Sequence, residues 1–188
     1  MLDGRTPKGL LRAVFFYNGK NFTLRGGQEH RNLQISQLSR LYHPDRYIYT
    51  ENSSKNRAGG LAQLRLEHKR VPIYSVPSAG ERCHVRLLDL YLSKLPANAK
   101  EKDKFYCQPI QSHSSMYDNA SLYSSIPCGK NYLSKMVSEM FKEAGVEERK
   151  TNHSLRAAGV VDCMKLEWMR RSFRAAQVID VWNHYECT

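Results

Sequence analysis

The sequence predicts an α+β domain, mainly α-helical, with a small antiparallel β-sheet. Three observations predict it. Apolar residues recur at helical spacing within residues 10–17, 84–95 and 132–144. Two short β-rich runs, Tyr47–Thr50 and Val71–Tyr74, bracket the polar turn segment Asn52–Gly60, the pattern of a hairpin with a basic loop. A chain of 188 residues, 41% hydrophobic and 25% charged, is also long enough and apolar enough to bury a core.

Each element follows in order. Leu10, Leu11, Ala13, Val14, Phe15 and Phe16 read as the start of a buried helix, whereas residues 28–41 carry a mixed pattern. His43-Pro44-Asp45 signals a turn. Pro72 suits an edge strand, because it has no N–H to give to a ladder. Leu87, Leu88, Tyr91, Leu92 and Leu95 share one helical face, and Pro96 ends the run. Residues 97–104 are expected to be exposed, Phe105-Tyr106 to form a short strand, and 108–130 to form a long loop. Leu133, Met136, Val137, Met140, Phe141 and Ala144 repeat at i, i+3, i+4, i+7, i+8 and i+11, with Asn131 as expected N-cap and Gly145 as expected C′ residue. A last helix is expected from Asn152 or Ser154, carrying Leu155, Val160 and Val161 inward.

The charge is lopsided. Lys and Arg number 29 against 18 Asp and Glu, a net +11, and residues 1–105 supply +10 of it. Such a surface suits a polyanion or an anionic membrane. No apolar run approaches the roughly 20 residues of a membrane span, and Met1-Leu2-Asp3-Gly4-Arg5 opens no signal-peptide stretch. Neither membrane anchoring nor secretion is expected. Five widely spaced cysteines, Cys83, Cys107, Cys128, Cys163 and Cys187, form no CxxC pair, so free thiols are expected rather than disulfides or a zinc site.

Four motifs carry chemistry. In Thr151-Asn152-His153-Ser154-Leu155-Arg156, His153 and Arg156 share a helix face. Together they make a phosphate site: Arg offers a fixed fork of donors, and His donates, accepts or transfers a proton. Arg25 sits beside Gly26 and Gly27, where glycine allows a ligand close to the backbone, and Glu29 is placed to fix the geometry. Lys55 lies at the tip of the expected hairpin, placed to reach a DNA groove or to protonate a leaving oxygen. Near the C-terminus Tyr185 offers a phenolic oxygen, a nucleophile toward a phosphodiester when guanidinium groups stabilise the developing charge.

The order Arg, hairpin Lys, HxxR, Tyr is that of tyrosine recombinases and integrases. The strings FFYNGKNF at 15–22, LRGGQEHRNL at 24–33, GKNYLSKM at 129–136 and TNHSLRAAG at 151–159 narrow this further. They resemble the recombinase-like domain left in animal genomes by Crypton DNA transposons and shared by zinc finger MYM-type proteins and glutamine-rich protein 1. The resemblance covers residues 8–159 as a catalytic-domain core and leaves 160–188 as a divergent tail. It implies DNA-integration ancestry, a duplex-DNA partner, a nuclear location, and no metal or nucleotide cofactor. It further implies that Arg25, His153 and Arg156 hold the scissile phosphate. Lys55 would protonate the leaving 5′ oxygen, and Tyr185 would form a 3′-phosphotyrosyl link.

The tail departs from the family pattern. A Gly-His pair normally precedes the tyrosine, with the His nine residues before it; that position is Ala176 here. The helical DNA-clamping domain that usually precedes such a catalytic domain is not expected within these 188 residues. The expectation is therefore a DNA-contacting domain with degenerate or unproven strand cleavage, a DNA strand transferase if active. The alternative from another class is a non-catalytic nuclear interaction module of a transcription or chromatin regulator, with the basic face serving a protein partner.

Overall fold

The computed structural model describes residues 4–24, 26–51, 69–110, 120–148, 150–162 and 164. Helix α1 spans Pro7–Asn21. Thr6 caps it, its hydroxyl accepting from Gly9 N–H at 3.0 Å, and Pro7 occupies the first turn where no N–H is needed. Leu10, Leu11, Ala13, Val14 and Phe15 are all buried, as are Arg12, Asn18 and Gly19, so the middle of α1 is buried on every side and runs through the core. Thr23 ends it with φ +56°, the left-handed region.

Helix α2 follows over Gly26–Asn32, then a 3₁₀ turn at Ile35–Gln37. The mixed pattern of 28–41 thus resolves into three short elements. The third is strand β1, Leu38–Tyr42. Strand β2 (Asp45–Thr50) pairs with β1 and with β3 (Arg70–Tyr74), both antiparallel, in the order β1-β2-β3. Tyr47 faces Ile73 and Tyr49 faces Val71 across β2–β3. Pro72 lies on the edge strand β3, as its missing N–H demands. Helix α3 spans His84–Ser93 and buries Val85, Leu87, Leu88 and Tyr91.

Three expectations need correction here. Residues 97–101 form a short helix, α4, whose Ala99 is fully buried. The strand expected at Phe105-Tyr106 begins two residues later, at β4 (Cys107–Pro109). Phe105 and Tyr106 are both buried in succession, so the alternation of a strand has not started there. Strand β5, Tyr123–Pro127, emerges from the stretch read as loop and pairs antiparallel with β4. Its Ser-rich text hid it: only Tyr123 on that strand is buried.

Helix α5, Lys130–Glu143, buries Leu133, Met136 and Val137, with Met140 and Phe141 half-buried beside them, while Ala144 is exposed. It starts at Gly129 rather than Asn131, because Leu133 N–H already reaches the Gly129 carbonyl at 3.1 Å. Gly145 follows with φ +73°, the C′ role expected of it. Buried Arg12 clamps α1 to α5 through paired bonds to Glu143 at 2.5 and 2.7 Å. Residues 152–162 form the last helix, α6. It buries Asn152, Leu155 and Gly159; Val160 and Val161, expected inward, are exposed.

Candidate nucleic-acid phosphate site

The start of α6 is locally encoded. Ser154 Oγ accepts from Thr151 N–H at 3.2 Å, and Ser154 N–H reaches the Thr151 carbonyl at 2.9 Å. Asn152 Nδ2 donates to the Leu133 carbonyl at 3.2 Å, pinning α6 to α5. Leu155 then packs on Gly19 so closely that a Cβ there would lie 2.9 Å from Leu155 Cδ1. One turn on, a Cβ at Gly159 would lie 1.9 Å from the Lys20 carbonyl oxygen. Two glycines therefore let α6 cross the end of α1 at near-backbone contact. Lys20 and Asp162 close that crossing with an ion pair at 2.7 Å.

This packing leaves His153 exposed and Arg156 half-buried on α6. Among the described residues neither has an ion-pair partner. No carboxylate among the described residues consumes the Arg156 guanidinium.

A third segment reaches the same corner. Lys69, just before β3, donates from Nζ to Thr23 Oγ1 at 2.7 Å and to the Phe22 carbonyl at 3.2 Å. Glu51 N–H bonds to the Lys69 carbonyl at 2.9 Å and closes the base of the β2–β3 connection. Thr23 Cγ2 also rests against Gly159. So residues 19–24, the base of the hairpin and the HxxR helix converge. Arg25, Lys55 and Tyr185 lie outside the described residues, as does Ala176; the described neighbours of Arg25 are Leu24 and Gly26. Lys69, Thr23, Gly19 and Gly159 were not singled out from sequence. A Gly at i+3 from Arg156 is the one sequence signal that could have revealed close helix packing there.

The two glycines after Arg25 sit in different surroundings. Gly27 faces α5: a Cβ there would meet Ser134 Oγ at 2.1 Å and the Lys130 carbonyl at 3.0 Å. It is a helix-packing glycine. Gly26 takes φ +46° in open space and turns the chain into α2.

Beneath the corner runs a buried polar chain. Asn21 Nδ2 donates to His84 Nδ1, and His84 Nε2–H donates to Asn18 Oδ1, both at 2.9 Å. Asn18 Nδ2 donates to Tyr106 Oη at 2.9 Å, and Tyr106 O–H donates to His30 Nδ1 at 3.1 Å. That leaves His30 Nε2–H buried without a partner among the described residues. The chain fixes both tautomers as neutral imidazole. Burial pushes His30 and His84 down to about 3. His30, in the Arg25 motif, is therefore structural. Cys83, Cys107 and Cys128 are buried free thiols, and the described residues hold no cluster of three or more His, Cys, Asp or Glu able to bind a metal. Among them, no helix is long and apolar enough to cross a membrane.

The family described as Domain of unknown function (DUF3504) matches residues 1–142. The chain belongs to the DUF3504 family. This DUF3504 span includes the positions of Arg25 and Lys55, while α6 lies beyond it. Mouse zinc finger MYM-type protein 2 is 26% identical over 151 residues, 72% of this chain. Human zinc finger MYM-type protein 3 is 26% identical over 161 residues, 74% of this chain. The chain spans only 11% and 12% of the length of those relatives. These matches agree with the resemblance read from the sequence. Among solved structures, the crystal structure of XerH site-specific recombinase bound to difH substrate, a pre-cleavage complex, is similar at 16% identity and TM-score 0.44. That likeness covers 88% of this chain and 36% of XerH.

Proposed function

We propose that this DUF3504 domain is a tyrosine recombinase-like module of Crypton ancestry that grips the phosphates of duplex DNA in the nucleus. Arg25, Lys55, His153 and Arg156 form its phosphate site. The observation that carries the reading is the convergence at Thr23: the hairpin base (Lys69) and the HxxR helix (Gly159) both touch the residue two before Arg25. Segments that adjoin the Arg25 motif and the hairpin loop thus meet the HxxR helix at one corner, which supports the reading. The net charge of +11 supports a polyanionic partner.

In this reading Arg156 and Arg25 hold the non-bridging oxygens, and His153 donates to one of them. Strand cleavage requires Tyr185 Oη to give its proton to water and bond to phosphorus while the bond from phosphorus to the 5′ oxygen breaks and that oxygen leaves with a proton from Lys55. With Ala176 in place of the family histidine, we assign this step as degenerate. No phosphotyrosyl adduct should form on pre-nicked duplex; an adduct lost in Tyr185→Phe would make the domain an active strand transferase.

A salt titration of duplex binding tests the reading. Neutralising six phosphates gives a log–log slope of about −5. A slope near zero rejects DNA as the partner. Binding indifferent to Arg25→Ala/Arg156→Ala turns the search to protein partners among nuclear regulators.

A further inference from the structure

A polar cleft of about 540 Å³ opens at the C-terminal end of α2, lined by Gln28, Arg31, Asn32, Leu33, Gln34 and Lys104. Among the described residues, no carboxylate lines it. Asp103, next to Lys104 in the chain, is turned onto Ser36, taking its N–H at 2.8 Å and its hydroxyl at 2.5 Å. Among the described residues, neither Arg31 nor Lys104 has a carboxylate within ion-pair reach. Gln28 Nε2 donates to Asn32 Oδ1 at 2.9 Å, which turns the Asn32 amide so that its own N–H groups are not spent on Gln28.

An arginine in the last turn of a helix complements the dipole, which alone accounts for Arg31. It does not account for Lys104, which arrives from after α4 and places a second cation in the same cleft. Two half-buried cations beside side-chain amides, with no acid between them, are a donor-rich surface suited to phosphate oxygens. Helix α2 has seven residues and is about 10 Å long at 1.5 Å per residue. With strand phosphates about 3.4 Å apart along the duplex axis, that is about three nucleotides.

We propose that the Arg31–Lys104 cleft is a second contact for a DNA phosphodiester backbone, about three nucleotides along the strand from the Arg25 end of α2. The inference rests on the DNA reading above. The cleft carries register and affinity and takes no part in chemistry.

The test uses the 188-residue chain. Duplex DNA is titrated at several salt concentrations against wild type, Arg31→Ala/Lys104→Ala and the charge-matched control Lys100→Ala/Lys102→Ala. The cleft variant should bind at least about tenfold more weakly and lose about two units of salt slope, with the control changed much less. Equal losses in both variants, or none in the cleft variant, overturn the cleft and leave the DNA reading standing. If wild type binds no duplex, the DNA reading fails. The cleft is then judged by NMR with a 5′-phosphorylated dinucleotide. Shifts confined to Arg31, Asn32 and Lys104 support it, and their absence overturns it.

Discussion

Lys69 holds Thr23 in a left-handed turn. Its Nζ lies 2.7 Å from Thr23 Oγ1 and 3.2 Å from the Phe22 carbonyl, and Thr23 has φ +56°. A β-branched residue is strained there, and such strain persists only where neighbours over-determine it. The neighbours are the hairpin base on one side and Gly159 of α6 on the other. The turn directs the chain from α1 into the Arg25 motif.

Removing that latch should cost stability. Lys69→Met and Thr23→Val each delete the charge-assisted bond, and each is expected to destabilise by about 1.5–3 kcal/mol in urea unfolding. Thr23→Asn keeps an acceptor and tolerates positive φ, so it should cost less than about 0.5 kcal/mol. If Thr23→Asn is as damaging as Thr23→Val, the latch does not depend on that acceptor.

The helix crossing predicts an ordered pair of glycine effects. Gly159→Ala puts a Cβ against the Lys20 carbonyl, backbone that cannot swing aside, and should cost about 3 kcal/mol or more. Gly27→Ala meets first the Ser134 hydroxyl, a side chain that can turn away, and should cost about 1–2 kcal/mol. Adding Ser134→Ala should recover part of the second loss. Thermal melts of the four proteins check the order.

The buried histidines predict acid lability. Both imidazoles are pushed down to about 3 in the fold, against about 6.5 in the unfolded chain. Between those values the unfolded state binds more protons, so stability rises with pH. It is complete above about pH 6.5 and falls toward pH 3, by about 1.4 kcal/mol per pH unit for each histidine well inside the window. Glu143, held down to about 2 by the Arg12 guanidinium, adds loss in the same direction once the pH drops below the usual carboxylate range. Denaturant midpoints between pH 7 and pH 4 measure the slope. His84→Gln should flatten it by about half; an unchanged slope would show that histidine burial is not its source.

The larger elements were legible because their apolar spacing repeats over several turns. α5 shows this best: Leu133, Met136 and Val137 are the buried face that the period names. The hairpin was legible because Tyr47, Tyr49 and Ile73 alternate. β5 was not, because a three-residue partner and a Ser-rich strand leave no period to read. Inward Val160 and Val161 were misjudged for a different reason. The face of α6 that packs is chosen by Gly159 against the Lys20 carbonyl, a contact without hydrophobic signal. Of the site, the HxxR spacing was legible as one helix face. The Lys69–Thr23 bond spans 46 residues and leaves no trace in local pattern.

The central claim is that Arg25 and Arg156 hold one phosphate, and a double-mutant cycle on duplex-DNA affinity tests it most directly. Arg25→Ala and Arg156→Ala should each weaken binding by about 1.5–3 kcal/mol. Sharing a phosphate, they should couple by about 0.5–3 kcal/mol, so that the double variant loses less than the two single losses combined. Strict additivity, or single variants that bind as wild type does, would contradict a shared site.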